Sequence, residues 1–330
     1  MPRSASNLLV RMLALEGQPD LIPRQNGGYF FMDAIKKMSA LDLRMKHVDD
    51  WSPEERAEMK QCYQDCFDAF DEHIKKTDAE GKITFVKEHS AFLLEPTAIS
   101  KALYPDREVK EEPWTIQRPG VTEVGARSPN NFTMLPDDFL KTFLPIFLIR
   151  HPALAFPSLH RKMEELKDAG DVDVSGQPPA QETIMRMKWS RILYDIYRNT
   201  STEDDIWPVV IDADDIINHP EVLVQLCEIT GLDKTKLKFS WEPATESELG
   251  GMTGLAKAML STVIASSGLI KDKAATDLDI DVEAKKWKTE FGESEGGEIE
   301  KLVRDAMPDY EFLRSKRMMP KPRKLEKLDI

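Results

Sequence analysis

Hydrophobic and polar positions follow two rhythms along this chain. Three short apolar runs, Ile83–Val86, Pro145–Ile149 and Pro208–Ile211, are followed at once by the polar stretches "KEH", "RH" and "DADD". Each run is too short for a core helix, and its unbroken apolar character predicts a parallel strand buried on both faces. Ligands of open α/β sheets gather at the carboxyl ends of the strands, so the polar residues that follow are site candidates by position alone.

Helical spacing fills the intervals. Leu9, Met12 and Leu13 fall on one face of a segment opened by "PRSASN" and closed by Gly17 and Pro19. Ser52-Pro53-Glu54-Glu55 places a cap, a proline at the first position and acids in the first turn, predicting a helix to about Lys76. Gln181–Tyr197 and Glu221–Thr230 also read as helices, the second stopped by Gly231. Between Pro105 and Pro136 the composition shifts to Pro, Gly, Asn and Thr with little periodicity, which fits a long loop over a pocket or a surface insertion. From Arg314 the stretch "RSKRMMPKPRKLEKLDI" is basic, so the expected organisation is a single α/β domain over 1–312 and a solvated basic tail over 313–330.

Composition narrows the function classes. At 330 residues the chain can bury a sizeable core, and 41% hydrophobic with 31% charged residues is ordinary for a globular protein. Against 45 Lys and Arg stand 58 Asp and Glu, a net charge of −13 that argues against a general nucleic-acid or anionic-membrane binder. Any anion site must be a local cluster. Cys62, Cys66 and Cys227 leave an odd count, which favours a reducing compartment. The spacing of Cys62 and Cys66 is read as helix-face packing rather than as a metal pair, since no further Cys/His set has ligand spacing. No signal peptide and no run of 18 apolar residues is evident, so the expectation is a cytoplasmic protein without a membrane span.

The candidate chemistry lies in three places. A polar turn that opens a helix gathers free backbone N–H groups at a positive dipole end, and Pro2–Asn7 is such a turn. It lacks the lysine-bearing glycine loop of nucleoside-triphosphate sites. The second place is Lys87-Glu88-His89 at a strand end; the third is Arg150 at another, with Ser158 eight residues on.

In this order the motifs resemble the sulfotransferase family, and "PVVIDADDIINHPEVLVQLCEITGL" and "KKWKTEF" extend the resemblance over nearly the whole chain. The resemblance implies a three-layer α/β sandwich with a central parallel sheet, of the P-loop nucleotide-binding kind. It implies sulfuryl transfer from 3'-phosphoadenosine-5'-phosphosulfate, as co-substrate, to a hydroxyl of a small molecule, with no metal. Arg3, Ser4, Ala5, Ser6, Asn7 and Leu8 would then hold the 5'-phosphosulfate, and Arg150 and Ser158 the 3'-phosphate. His89 would be the general base, with Lys87 and Arg3 beside it in catalysis. Lys285 and Lys286 stand before Trp287, where the family commonly carries Arg-Lys-Gly to close over the 3'-phosphate.

The chain departs from the family pattern at three further points. Ala5 replaces a glycine and is expected at negative φ. Asn7 and Leu8 stand where Thr and an aromatic are common. No strand precedes Pro2, so the first strand of the fold is expected to be missing, either because the true start lies upstream or because this is a shortened, inactive copy. Two other readings stay open: a P-loop small-molecule kinase, and a non-catalytic relative that binds nucleotide or a partner protein. The acceptor pocket is expected between Trp114–Met134 and Ala256–Ile270, apolar segments that suit an aromatic or lipid-like molecule and equally a packed lid. Neither acceptor identity nor oligomeric state is legible.

Overall fold

Strands form at two of the three apolar runs. In the computed structural model, which describes residues 1–22, 28–118, 120, 125–168, 183–201, 206–275 and 278–320, Ile146–Ile149 (β1) and Val209–Asp212 (β2) pair in parallel. Ile146 lies opposite Val209 and Ile149 opposite Asp212, so both strands end level with each other. Val210 also bridges Arg317 in parallel, and the Met318 N–H donates to the Val210 carbonyl at 2.8 Å. The third run corrects the strand expected at Ile83–Val86. There the backbone makes a single bridge, Leu21 to Ile83, with Ile83 N–H donating to Asp20 and Lys87 N–H to Gly28. Among the described residues these are its backbone partners, and no ladder forms there.

The helices that position the site are α1 (Ser6–Leu13), α2 (Met32–Ala40), α3 (Pro53–Ala79), α4 (Pro152–Asp168), α5 (Lys188–Thr200), α6 (Val222–Thr230), α7 (Gly254–Ala265), α8 (Ile280–Phe291) and α9 (Glu293–Ser315). α3 starts where the sequence indicates: the Ser52 hydroxyl accepts from Glu55 N–H and the Glu55 carboxylate accepts from Ser52 N–H. α6 stops at Gly231, at φ 77. The helix expected from Gln181 is interrupted: 183 and 184 are helical, the chain bends over 185–187 with Trp189 Nε1 donating to the Thr183 carbonyl, and α5 starts at Lys188; 181 and 182 lie outside the described residues.

Opposite faces of β2 feed different parts of the core. Val210 packs in a cluster with Ile149, Phe156 of α4, Trp287 of α8 and Val303 and Tyr310 of α9. Val209 and Ile211 pack with Leu9, Met12 and Leu13 of α1 and with α6. This alternation is the period of two that a strand with helices on both faces requires. A third cluster joins α2 and α3 to the long loop, where Trp114, Ile116, Phe132 and Met134 are buried. The stretch 105–136 therefore packs against the core at 114, 116 and 131–136, while most of 105–113 is exposed. The buried carboxylate of Glu95 anchors it, accepting from the N–H groups of Thr97 and Ala98 and lying 3.5 Å from the Arg127 guanidinium. Residues 119 and 121–124 of that loop lie outside the described residues. Cys66 packs in the same cluster, Cys62 against it, and both thiols are pushed up, chiefly by burial.

The final helix ties the chain end to the sheet. α9 continues through 312 to Ser315, and Tyr310 on it donates to Asp212 Oδ2 at 2.9 Å; residues 321–330 lie outside the described residues. Burial pushes the Asp212 carboxyl up to about 6, against the pull of the Asp214 N–H and the Tyr310 hydroxyl. α8 and α9 form a hairpin around Gly292 at φ 88, and a Cβ on Gly296 would lie 2.6 Å from the Lys288 backbone.

Two outcomes follow. Gly296→Ala should destabilise the fold by about 2 kcal/mol, because backbone must yield, whereas Gly297→Ala, whose Cβ would meet only the Lys288 side-chain end at 4.0 Å, should be neutral or stabilising; urea unfolding of both variants checks this. Between about pH 4 and pH 6 the folded protein keeps the Asp212 proton that the unfolded chain has released, so this group makes stability fall as pH rises through that window. Asp212→Asn should remove that slope, a difference of at most about 3 kcal/mol between the ends of the window, read as unfolding free energy against pH for both proteins.

Candidate active site

The three sequence motifs converge on residues 3–7. Arg3 donates from Nε to the Ser158 hydroxyl at 3.0 Å and from Nη1 to the Met259 carbonyl at 2.8 Å. Arg150, one residue past β1, donates from Nη1 to the Arg3 carbonyl at 3.0 Å and from Nη2 to the Lys273 carbonyl at 3.1 Å. Lys87 donates to Asn7 Oδ1 at 2.7 Å. The loop is thus held from two sides: by β1 and α4, and by the extended segment that ends in His89.

The loop's backbone answers the question of Ala5. Arg3 has φ 61 and Ala5 φ 68, so the negative φ expected at Ala5 is overturned. Ala5 is the cap of α1, and its carbonyl accepts the first helical bond from Leu9 N–H at 3.0 Å. Left-handed geometry for a residue with a Cβ costs roughly 1–2 kcal/mol, and here Arg150 and Arg3 hold the turn from outside. The N–H groups of Ser6, Asn7 and Leu8 precede the first intrahelical bond and carry the positive end of the helix dipole. Ser4 turns inward, its buried hydroxyl donating to the Met1 carbonyl at 2.8 Å.

Charge at the site is positive and poorly compensated. Burial lowers the pKa of Arg150, the neighbouring Arg3 charge lowers it further, and Asp214 and Asp212 oppose. Burial also lowers Arg3, against Glu165. Arg150 Nε is buried without a hydrogen-bond partner among the described residues. Two guanidinium groups side by side, one with an orphaned N–H, fit a polyanionic ligand. Lys285 and Lys286 lie on the exposed face of α8, Lys286 paired with Glu283 at 2.5 Å, so this structure does not bring them to the guanidinium pair.

His89 is 7% exposed, and its pKa is driven well below 6.5 by burial first, then by the charges of the amino terminus and Lys87. It is a free base at neutral pH. Lys87 is lowered to about 8 by burial against Glu88, so it is mostly charged there. The sequence reading missed Tyr29, whose hydroxyl lies 2.9 Å from His89 Nε2 and whose ring lies 4.6 Å beneath the Lys87 ammonium. Gly27-Gly28 before an aromatic run was the available signal.

A cleft of about 420 Å³ lies elsewhere, lined by His151, Asp279, Arg304, Tyr310 and Arg314 among others, with charges of both signs. Among the described residues no cluster of His, Cys, Asp and Glu is arranged to hold a metal, and no helix is long and apolar enough to cross a membrane. Ala5→Gly should stabilise the protein by about 1 kcal/mol, the relieved Cβ strain exceeding the added freedom of the unfolded chain; thermal and urea unfolding check the sign.

No protein-family model matches the chain, and no solved structure does. The curated relatives it resembles include "Sulfotransferase ppzF" of Metarhizium rileyi, 40% identical over 325 residues, covering 96% of this chain and 94% of the relative. "Sulfotransferase ppzF" of Metarhizium majus is 39% identical over 327 residues, with the same shares covered. Identity at this level over nearly the full length, together with the converging loop, histidine and arginine motifs, means that the chain belongs to the sulfotransferase family.

Proposed function

We propose that the chain transfers a sulfuryl group from 3'-phosphoadenosine-5'-phosphosulfate to a hydroxyl of a small molecule, on a three-layer P-loop-like sandwich of which β1 and β2 are the central strands. The observation that carries this reading is the half-buried Arg3–Arg150 pair, joined through the Arg3 carbonyl, with Ser158 on Arg3 and an orphaned N–H on Arg150. A nucleotide with phosphates at both its 3' and 5' positions offers the anions such a pair lacks.

The roles follow from position. Arg3 and the N–H groups of Ser6, Asn7 and Leu8 would hold the 5'-phosphosulfate and stabilise charge growing on the departing oxygen. Arg150 and Ser158 would hold the 3'-phosphate, the guanidinium as a charge-assisted fork. Lys87 would add a cation beside the loop, and neutral His89 would take the acceptor's proton. The acceptor oxygen bonds to sulfur as the bond from sulfur to the 5'-phosphate oxygen breaks, chemistry that asks mainly for in-line positioning and electrostatic support. Lys285 and Lys286 could join only if α8 moved toward the loop. A cytoplasmic location and catalytic competence of the chain as it stands belong to the same proposal.

Adenosine 3',5'-bisphosphate should bind more tightly than AMP by roughly 2–4 kcal/mol. Arg150→Ala should erase most of that preference and weaken AMP as well, because Arg150 also holds the Arg3 carbonyl. Arg150→Lys, which keeps a charge but not the fork, should fall between. Calorimetric titrations decide: equal affinities in the parent protein reject the reading, and tighter binding of magnesium ATP points to a kinase.

A further inference from the structure

Lys87 and His89 of the extended segment converge on one side chain that the family reading does not use, and Glu88 between them grips the backbone beside it. Lys87 packs its ammonium over the Tyr29 ring, and His89 Nε2 meets the Tyr29 hydroxyl. Glu88, between them, accepts from the N–H groups of Phe30 and, at 3.0 Å, Phe31. Gly28, at φ 89, accepts from Lys87 N–H at 3.3 Å, and a Cβ there would press on Lys87 Cβ at 3.3 Å. The backbone on both sides of Tyr29 is therefore tied to the segment that bears the base. Ser6, the first residue of α1, lies beside the Tyr29 hydroxyl and pulls its pKa down against burial.

This placement leaves His89 covered. Its ring lies between Tyr29 and Phe92, with centroids 5.1 and 4.8 Å away, and the phenol oxygen stands on Nε2. A phenol has one proton to donate and two lone pairs to accept with. Donation to Nε2 leaves the phenol oxygen lone pairs to accept with, beside Ser6 at the start of α1, where the sulfur of the donor is proposed to lie. Swinging Tyr29 away would break its bond to His89 and its contact with Lys87, while Glu88 holds the adjoining backbone.

Resting on the sulfuryl-transfer reading above, we propose that Tyr29 is a catalytic residue that relays the acceptor's proton to His89. As the acceptor oxygen bonds to sulfur and the bond from sulfur to the 5'-phosphate oxygen breaks, the acceptor O–H proton passes to Tyr29 Oη and the Tyr29 proton passes to His89 Nε2. The step ends with a neutral tyrosine and an imidazolium. The two transfers are concerted, because a free phenolate is disfavoured: burial and the Glu88 charge raise the Tyr29 pKa, with only Ser6 opposing.

The test uses the intact chain with 3'-phosphoadenosine-5'-phosphosulfate as donor and, since the natural acceptor is unidentified, water and 1-naphthol as acceptors, reading release of adenosine 3',5'-bisphosphate. Tyr29→Phe should lower the rate roughly tenfold or more, His89→Ala should do likewise, and the double variant should be no worse than the more impaired single variant. Bisphosphate binding by calorimetry should stay within about twofold of the parent. In mixtures of light and heavy water the parent rate should depend on deuterium fraction with the curvature of two protons in flight, a reading that needs no variant to fold. An unimpaired or faster Tyr29→Phe overturns the relay and makes Tyr29 a plug over the base. A linear dependence on deuterium fraction overturns it equally. If Tyr29→Phe and His89→Ala both leave the rate unchanged while the bisphosphate still binds, the base assignment falls and takes the relay with it. If only Tyr29→Phe is harmless, the base stands and the relay alone is lost.

Discussion

The bond from Arg150 to the Arg3 carbonyl is the constraint on which the rest of the site depends. It fixes the end of β1 against a turn that would otherwise be unfavourable, since Arg3 and Ala5 both sit at positive φ. Strain of this kind persists only where the surroundings over-determine the backbone. Here the guanidinium of Arg150 grips the loop from the sheet side, and Arg3 reaches outward to Ser158 on α4 and to the α7 carbonyl of Met259. The turn in turn sets the direction of α1, whose Leu9, Met12 and Leu13 form one wall of the core on a face of β2. Sheet, helix and anion site are mutually supporting through a single backbone carbonyl.

A second organising element is the extended segment ending in His89. It forms no ladder, yet its side chains alternate as in a strand, Lys87 and His89 toward the loop and Tyr29, Glu88 toward the backbone that leads into α2. Glu88 therefore ties the start of α2 to the segment that bears His89. The hydrophobic cluster around α2 and α3, which includes the buried part of the long loop, stands behind this arrangement as its support. Catalytic geometry of this sort needs such backing, because an error near 1 Å in a reacting group is costly.

Much of the chain was legible from its residues because the signals were local. The capped start of α3, the glycine stop of α6 and two of the three apolar runs state their own structure. The site motifs were singled out by order and spacing, and the fold sets Arg3 on Ser158, Arg150 on the Arg3 carbonyl and Lys87 on Asn7. What failed was information that lives between segments. Ile83–Val86 has strand composition, but among the described residues it finds backbone partners only in Asp20 and Gly28, at its two ends. The positive φ of Ala5 is imposed by tertiary contacts that propensity does not contain. Tyr29 has no motif of its own, and its contact with His89 is visible only once Glu88 has drawn the adjoining backbone to that segment. Lys285 and Lys286 matched a place in the sequence while their helix turns them to solvent.

The paired guanidinium groups have a consequence beyond chemistry. Any small multivalent anion that binds the folded chain and not the unfolded one raises apparent stability by mass action, about 2.7 kcal/mol at a hundredfold excess over its dissociation constant. On the proposed reading, sulfate and phosphate, common in purification buffers, are candidates for the same loop, whose paired guanidinium charges favour them. The melting temperature would then be a joint property of the chain and its buffer. Two preparations of identical sequence, one in phosphate and one in a zwitterionic buffer, would be thermodynamically different samples.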